Sequence, residues 1–531
     1  MDSRRLFLFL VFSFSILMVW DGWQRHKHPA PVQAAAQQPG QPVAAAGQSP
    51  KFEGLKKADA VSVKTDIFAA EISTAGGDLR RVELLQHHDA KDKNKPFVLL
   101  EENGSHVYVA QTGLLGNDLP THNSGFTAEQ TSYTLEEGKD SVTVKLTSDM
   151  PFAKVSKLYT FHRGSYLIDI GYEVENIGAT PLSPSVYFQL VRDNSQPDTD
   201  MKFVPTYTGP AVYTEQEKFQ KVEFSDIEKN KAKFIKNADN GWAGMLQHYF
   251  VSAWLPKQKT PREYFTKNLG NNLYSVGLIS ALGTIQPGQK ISFSNQLYSG
   301  PAQSKLDEVA PGLGLTVDYG WVTVIATPLF WLLTILQGIV HNWGVAVIVL
   351  TILIKLAFFP LSAASYRSMA KMRSAAPKME KIKKLYGDDR ERLHKEMMEL
   401  YKTEKINPLG GCLPVLIQIP VFIALYWAIL SSVEMRHAPF FGWISDLSAA
   451  DPYYVLPLIM GLSMIVQTRL NPTPPDPMQA KVMQIMPIVF SVVFFFFPAG
   501  LVLYSIVNNL LSIAQQWYIT KSIETAPKGA A

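Results

Sequence analysis

The sequence predicts a multi-domain chain in which a large antiparallel β-sandwich precedes an all-α polytopic membrane core, with a charged helical hairpin inserted into that core. Three observations predict it. Charge-free stretches of 36, 25 and 39 residues occupy 319–354, 409–433 and 482–520, and a helix that crosses a bilayer needs about 20 apolar residues. Residues 52–318 instead alternate apolar and polar side chains in short runs, the period of a half-buried strand. Twelve Lys and Arg crowd into residues 362–408, between two of the apolar stretches.

Composition supports the division and removes other classes. The 531 residues are 47% hydrophobic with a net charge of +4 and one cysteine, which excludes a disordered chain and a disulfide scaffold, and the charge is too weak to suggest nucleic acid. The mean hydropathy of +0.01 averages a polar front half and an apolar back half. Cys412 has no partner for a disulfide within the chain, so anything outside the cytosol folds by burial alone.

Taken in order, residues 1–28 hold the uncharged run Leu6 to Trp20 behind Arg4 and Arg5, a signal peptide or a signal anchor. The first alanine-rich stretch lies beyond Arg25, Lys27 and two histidines, which favours an uncleaved anchor. Residues 29–51, rich in Pro, Ala and Gln, form a flexible tether. The β domain at 52–318 shows its alternation in Val61-Ser-Val-Lys, Ser141-Val-Thr-Val-Lys-Leu-Thr, Tyr166-Leu-Ile-Asp-Ile-Gly-Tyr-Glu-Val and Ile291-Ser-Phe-Ser-Asn. Gly76-Gly77, Glu137-Gly138 and Pro287-Gly288 punctuate it. It contains no phosphate loop, metal-ligand cluster or nucleophile elbow, and the pair His87-His88 reads as a solvated loop.

Residues 319–342 carry Thr323, Thr327, Thr334, Gln337 and His341 as one polar stripe on an otherwise apolar helix, which predicts an amphipathic helix lying in the membrane interface. Spans follow at 343–361, 409–433, 453–470, 481–497 and 500–520, with a short tail at 521–531. With the anchor, that makes six. In the 362–408 segment, Met369, Met372, Ala376, Met379 and Ile382 recur at helical spacing, Gly387-Asp388-Asp389 turns the chain, and Leu393, Met397 and Leu400 resume. This is a two-helix hairpin, cytoplasmic by its positive charge. Its basic side chains, including Lys371, Arg373, Lys378, Lys381, Lys383 and Lys384, either keep it soluble or dock an acidic partner or anionic lipid. An anchor with its amino terminus inside places the β domain outside; the flanking charges leave the inverted arrangement open.

Lys355 is the residue that asks for chemistry. A charge inside a span costs about 2.5–3.5 kcal/mol on insertion scales and usually has an acidic partner, yet the spans contain no Asp or Glu. One reading is snorkelling from a position about 9 Å inside the cytosolic end. The other is a wet cavity furnished by Thr351, Gln418, Tyr504, Ser505, Asn508 and Asn509, in which a cation attracts anions. Beside it, Met483, Met486, Phe490, Phe494 and Phe497 recur at three and four along the fifth span, with Leu416 and Phe422 in the third. Such a stripe is a lipid or packing surface, or an adaptable surface for varied apolar segments.

Four segments carry a family resemblance: Tyr366-Arg-Ser-Met-Ala-Lys-Met-Arg, Asn407-Pro-Leu-Gly-Gly-Cys-Leu-Pro-Val-Leu-Ile-Gln-Ile-Pro-Val-Phe, Asp451-Pro-Tyr-Tyr-Val-Leu-Pro and Phe497-Pro-Ala-Gly-Leu-Val-Leu-Tyr. In this order and spacing the chain resembles, over its whole length, the YidC membrane-protein insertases in their Gram-negative form. The resemblance implies a periplasmic β-supersandwich akin to mutarotase folds, and a five-helix core around a hydrophilic groove open to cytosol and lipid. It also implies cytoplasmic termini in the bacterial inner membrane. It places the groove's positive charge at Lys355, where the family usually has Arg, and gives Tyr504-Ser505 where the family often has two tyrosines. Substrate helices would pass along Leu416, Phe422 and the Met483 to Phe494 stripe.

The implied function is insertion and chaperoning of nascent membrane proteins, alone or with the Sec translocon, with ribosome or targeting factors at the hairpin. It requires no covalent chemistry, cofactor or metal. A transporter would need internal symmetry that the sequence lacks, and an envelope enzyme would need an acid/base or metal cluster in the β domain.

Overall fold

The computed structural model describes residues 54–524 except 90–91, 105, 198–205, 388, 405–412 and 472–476. The expected anchor and tether lie outside the described residues, as do Cys412 and most of the carboxyl-terminal tail. The chain divides into a β unit ending at Asp318 and a helical unit beginning at Tyr319.

The β unit is a sandwich of a ten-stranded and a nine-stranded sheet among the described residues. Each run singled out by its alternation falls on a strand, with Tyr166 just outside its own: Ala60–Lys64, Ser141–Asp149, Leu167–Asn176 and Lys290–Pro301. In the first, Val61 and Val63 are buried while the residues between them face out, the two-residue period of the pleat. Pairing is antiparallel except where Ala60–Lys64 runs parallel to Ser132–Thr134. Rings from opposite sheets meet in the interior, Phe188 on Trp254 at 5.0 Å and Phe68 edge-on to Phe161 at 6.2 Å.

A polar cluster interrupts this apolar core. Asp78 follows the Gly76-Gly77 turn; Gly76 has φ 77°, and a Cβ there would collide with the His122 carbonyl. The two glycine carbonyls point inward and accept from the opposite sheet, Gly76 from Lys157 Nζ at 3.0 Å and Gly77 from the Tyr159 hydroxyl at 2.6 Å. Lys157 also donates to the Thr112 carbonyl at 3.2 Å. Asp78 accepts from Gln111 Nε2 at 2.8 Å, and Gln111 accepts in turn from Gln189 at 2.9 Å. Asp78 and Lys157 are both 0% exposed. Burial pushes the Asp78 carboxyl up to about 6 against the opposing pull of the Lys157 cation, and burial pushes the Lys157 ammonium down.

The helical unit contains α1 (Thr323–Val340), α2 (Trp343–Ala357), α3 (Phe359–Tyr386), α4 (Arg390–Thr403), α5 (Leu413–Ser431), α6 (Val455–Leu470), α7 (Pro477–Val493) and α8 (Ala499–Glu524). α8 packs against α2, α3, α5 and α6. α2 stops at Ala357 rather than continuing to Leu361, because Pro360 suits only the first turn of a new helix. The chain then bends by 67° into α3. α3 and α4 form the expected hairpin fold, turned at Gly387 and capped by Asp389 Oδ1 on the Arg392 N–H at 3.1 Å. Lys378 of α3 pairs with Glu404 just beyond α4.

By length and composition alone, Gly320–Val340 is apolar enough to cross a membrane, while α2 and α3 pass the same test only as a bent pair. α1 buries Ala326, Phe330 and Leu333 and exposes Val324, Trp331, Ile335 and Ile339, with Thr323, Thr327 and His341 also exposed. Its two ends meet one short segment. Tyr319, ahead of α1, sits against Ser432 and Glu434. Behind it, Asn342 caps α2 through Val345 N–H at 3.0 Å and donates to the Phe440 carbonyl at 3.3 Å. Gly344 allows this approach, since a Cβ there would overlap the Phe440 ring.

Lys157→Met leaves the Asp78 carboxylate buried without its cation. The expected loss of β-unit stability at pH 8 is about 3–5 kcal/mol, measured by thermolysin digestion of the intact chain across a urea series. A carboxyl whose folded pKa is raised holds its proton more tightly folded than unfolded, so its contribution falls as pH rises from about 4 to 6. The loss is therefore smaller at pH 5 than at pH 8, and equal losses at both would contradict this account.

Candidate functional site

The candidate site lies where the end of α2, the α2–α3 bend and α5 surround a cavity lined by Ile354, Lys355, Phe358, Leu361, Ser362, Gln418 and Val421. Lys355, in the last turn of α2, is 8% exposed. Its Nζ does not run to the surface: it donates to Ser512 Oγ of α8 at 2.7 Å. The Ser512 hydroxyl donates to the Asn508 carbonyl one turn earlier, also at 2.7 Å.

The other predicted groove residues divide by where their polar atoms go. Gln418 of α5 donates to the Tyr504 hydroxyl of α8, which joins two of them across the bundle. Thr351 and Ser505 spend their hydroxyl protons on their own helices, on Val347 O at 2.7 Å and Leu501 O at 2.9 Å. Asn508 contributes its carbonyl to Ser512, and its Oδ1 is buried without a hydrogen-bond partner among the described residues. Asn509 turns away from this group to bond Ser463 of α6 at 3.1 Å.

Ser512 and Ser362 were missed by the sequence reading, although the signal for Ser512 was present. Ser505, Asn508, Ser512 and Gln516 follow one another at three and four along α8, all polar in an apolar helix. Gln516 closes the row by donating to Leu470 O and Asn471 Oδ1, at 3.1 and 3.0 Å, at the end of α6.

The apolar stripe also divides. Phe494 is buried and meets Phe422 at 6.1 Å, while Phe422 lies 6.3 Å from Tyr504 and Phe497 lies 5.4 Å from Tyr426. Met486 and Phe490 are exposed and Met483 half-buried, among exposed Val482, Ile485, Ile488 and Val489. Leu416 lies outside the described side chains. α7 leans on α6, where Gly461 faces Ser491 and Ser491 Oγ donates to Pro457 O at 3.0 Å. At the far end, backbone bonds Ala499 N to Ala449 O (2.7 Å) and Gly500 N to Leu447 O (2.9 Å) tie the α7–α8 junction to the loop before α6. That loop is ordered by Asp451, whose carboxylate accepts from the Leu456 and Tyr453 N–H groups and Trp443 Nε1 at 2.7–3.0 Å.

The six hairpin cations, Lys371, Arg373, Lys378, Lys381, Lys383 and Lys384, are all exposed. Lys384 pairs with Glu380 of its own helix at 3.1 Å. His87 is half-buried and hydrogen-bonded to the Tyr166 hydroxyl at 3.1 Å. Among the described residues no cluster of three His, Cys, Asp or Glu is placed to hold a metal ion.

Comparison with known proteins bears on both units. Residues 60–332 match the family model described as the YidC periplasmic domain, and residues 335–526 match that of the 60Kd inner membrane protein. The membrane protein insertase YidC of Methylobacillus flagellatus is 57% identical over 99% of this chain and 98% of its own. That of Aromatoleum aromaticum is 54% identical over the full length of both. A crystal structure of an active YidC insertase with its first transmembrane domain resolved is 18% identical, covers 88% of this chain and 94% of its own, and superimposes with a TM-score of 0.41.

Gly461→Val is expected to part α6 from α7, because even a Cβ there would stand 2.6 Å from Ser491 Oγ and 2.8 Å from Ser491 Cβ. The detergent-solubilised protein should lose about 1–3 kcal/mol of stability, read as a lower melting temperature. An unchanged melting temperature would mean that α7 is not held at this notch.

Proposed function

From the premise that the chain belongs to the YidC family of membrane protein insertases, we propose that Lys355 and its neighbours form the groove through which client segments enter the bilayer. The protein is an insertase of the inner membrane, not an enzyme.

A polar or acidic segment of a nascent membrane protein enters the cavity at Lys355, where the ammonium attracts it and Gln418, Tyr504, Ser505, Asn508 and Thr351 replace part of its water. Its hydrophobic neighbour meanwhile passes along the third and fifth spans, over Phe422, the half-buried Met483 and the exposed Met486 and Phe490, with Leu416 and Phe494 in the same stripe. Burying apolar side chains in lipid yields about 0.8 kcal/mol per CH₂, so the groove need only lower the barrier for the polar part. The single observation that carries this reading is Lys355, buried in a cavity wall and hydrogen-bonded to a neutral hydroxyl rather than to an acid.

The topology proposed with it has six spans with both termini in the cytoplasm, the β unit in the periplasm and the α3–α4 hairpin in the cytosol. The twelve basic residues at 362–408 support the last placement. α1 is read as the interfacial helix: at 1.5 Å per residue it is roughly 27 Å long, yet both its ends meet the segment just after α5. Clients arrive from the Sec translocon or directly, and the hairpin cations dock ribosome or targeting factors.

Complementation of an insertase-depleted strain tests the groove with a single-span client bearing an acidic tail. Lys355→Arg retains insertion, Lys355→Ala slows it, and Lys355→Glu slows it by about tenfold or more, as an extra ~1.4 kcal/mol of barrier does. Insertion of that client by Lys355→Glu at the wild-type rate would show that attraction at Lys355 plays no part.

A further inference from the structure

We propose that Ser512 is the positioning residue that holds the Lys355 ammonium at the cavity wall, so that acid recognition is a property of the α2–α8 pair rather than of Lys355 alone. The inference rests on the groove reading above and adds to it a residue and a mechanism.

The reason is the chemistry of lysine. A lysine is a compact charge on a flexible stem with three donors and no fixed direction. In the last turn of α2, two residues before the helix ends, such a side chain has an alternative, which is to follow its stem to the polar boundary. Something must offset that pull. The hydroxyl of Ser512 is suited to it because it donates to the Asn508 carbonyl, with the Tyr366 hydroxyl of α3 as a further hydrogen-bonding neighbour. What it presents to Lys355 is a lone pair, and donation onward to a carbonyl strengthens it as an acceptor. Because the acceptor is neutral, the bond fixes the ammonium without cancelling its charge. One donor is used by Ser512, and Lys355 lines the cavity together with Ser362 and Gln418. A carboxylate in the place of Ser512 would hold the lysine equally well but neutralise it.

The test uses the full-length chain in its membrane and two clients that differ only in whether the translocated tail is acidic or neutral. Ser512→Ala is expected to slow insertion of the acidic-tailed client by about tenfold, the effect of one lost hydrogen bond to a charged group, and to leave the neutral-tailed client unchanged. Ser512→Thr, which keeps the hydroxyl, restores the acidic client. In a Lys355→Arg background, where the guanidinium carries its own rigid fork, Ser512→Ala has a smaller effect. A second readout does not depend on insertion: amine-reactive labelling of Lys355, quantified by mass spectrometry, is faster in Ser512→Ala membranes than in wild type. Equal slowing of both clients, or unchanged labelling, would overturn the proposal, since either result makes Ser512 a packing residue of α8. Impaired acidic-client insertion in Lys355→Ala with wild-type behaviour in Ser512→Ala would sink the positioning role while leaving the groove reading intact. Wild-type behaviour in Lys355→Ala would remove both.

Discussion

A buried ammonium without a carboxylate is the constraint around which the helical unit is arranged. Taking such a group out of water is costly, and the apolar helices supply no acid to offset it. The chain meets the cost with a relay of neutral dipoles, Lys355 to the Ser512 hydroxyl to the Asn508 carbonyl. That solution requires α8 to lie beside the end of α2. It also requires α8 to present a polar row, and this row together with its neighbours fastens α8 to α5 through Tyr504 and to α6 through Asn509 and Gln516. The position of the last helix and the solvation of the charge are one requirement seen from two sides.

The β unit solves the converse problem. Lys157 also lies in a dry interior, but there an acid is present in Asp78, and backbone carbonyls of a glycine turn and a strand hold the ammonium. Carboxylate, ammonium and ring hydroxyls lock one sheet against the other, and nothing in the arrangement leaves the cation available to a ligand. The two lysines show how similar burial leads to different roles. Lys157 is satisfied by charge and by fixed backbone, which suits a structural link, whereas Lys355 is satisfied by direction only and keeps its field.

Much of this was legible in the sequence, and the reasons for success and failure are physical. Strand alternation marked the sandwich because one face of each strand is buried, and the glycine pairs marked turns that require positive φ. The hairpin was readable from its apolar spacing and its Gly387 turn. The end of α2 was not, because hydrophobicity continues past Ala357 and only Pro360 signals the break. The polar stripe of α1 was visible, but the helix also exposes large apolar side chains, so composition alone fits two placements. Lys355 stood out as a lone charge. Its partner did not, since serine is common and seldom conspicuous: only the spacing of Ser505, Asn508, Ser512 and Gln516 distinguishes a built row from scattered polarity. Thr351 and Ser505 show the opposite error, because a hydroxyl in a helix can be consumed by the carbonyl four residues back.

The two main-chain bonds between Leu447–Ala449 and Ala499–Gly500 have a consequence for direction of travel. They close the α7–α8 corner at the end of the bundle where Asn342 meets Phe440, whereas Lys355 sits in the final turn of α2, at the opposite end. A closure made from peptide groups does not depend on which side chains surround it, apart from the glycine that permits the approach. On the groove reading proposed above, a polar segment that enters beside Lys355 meets this closure at the far end, so its way out is sideways or back the way it came. On the same proposal, commitment is decided by the apolar segment that follows it, and a client lacking one is returned.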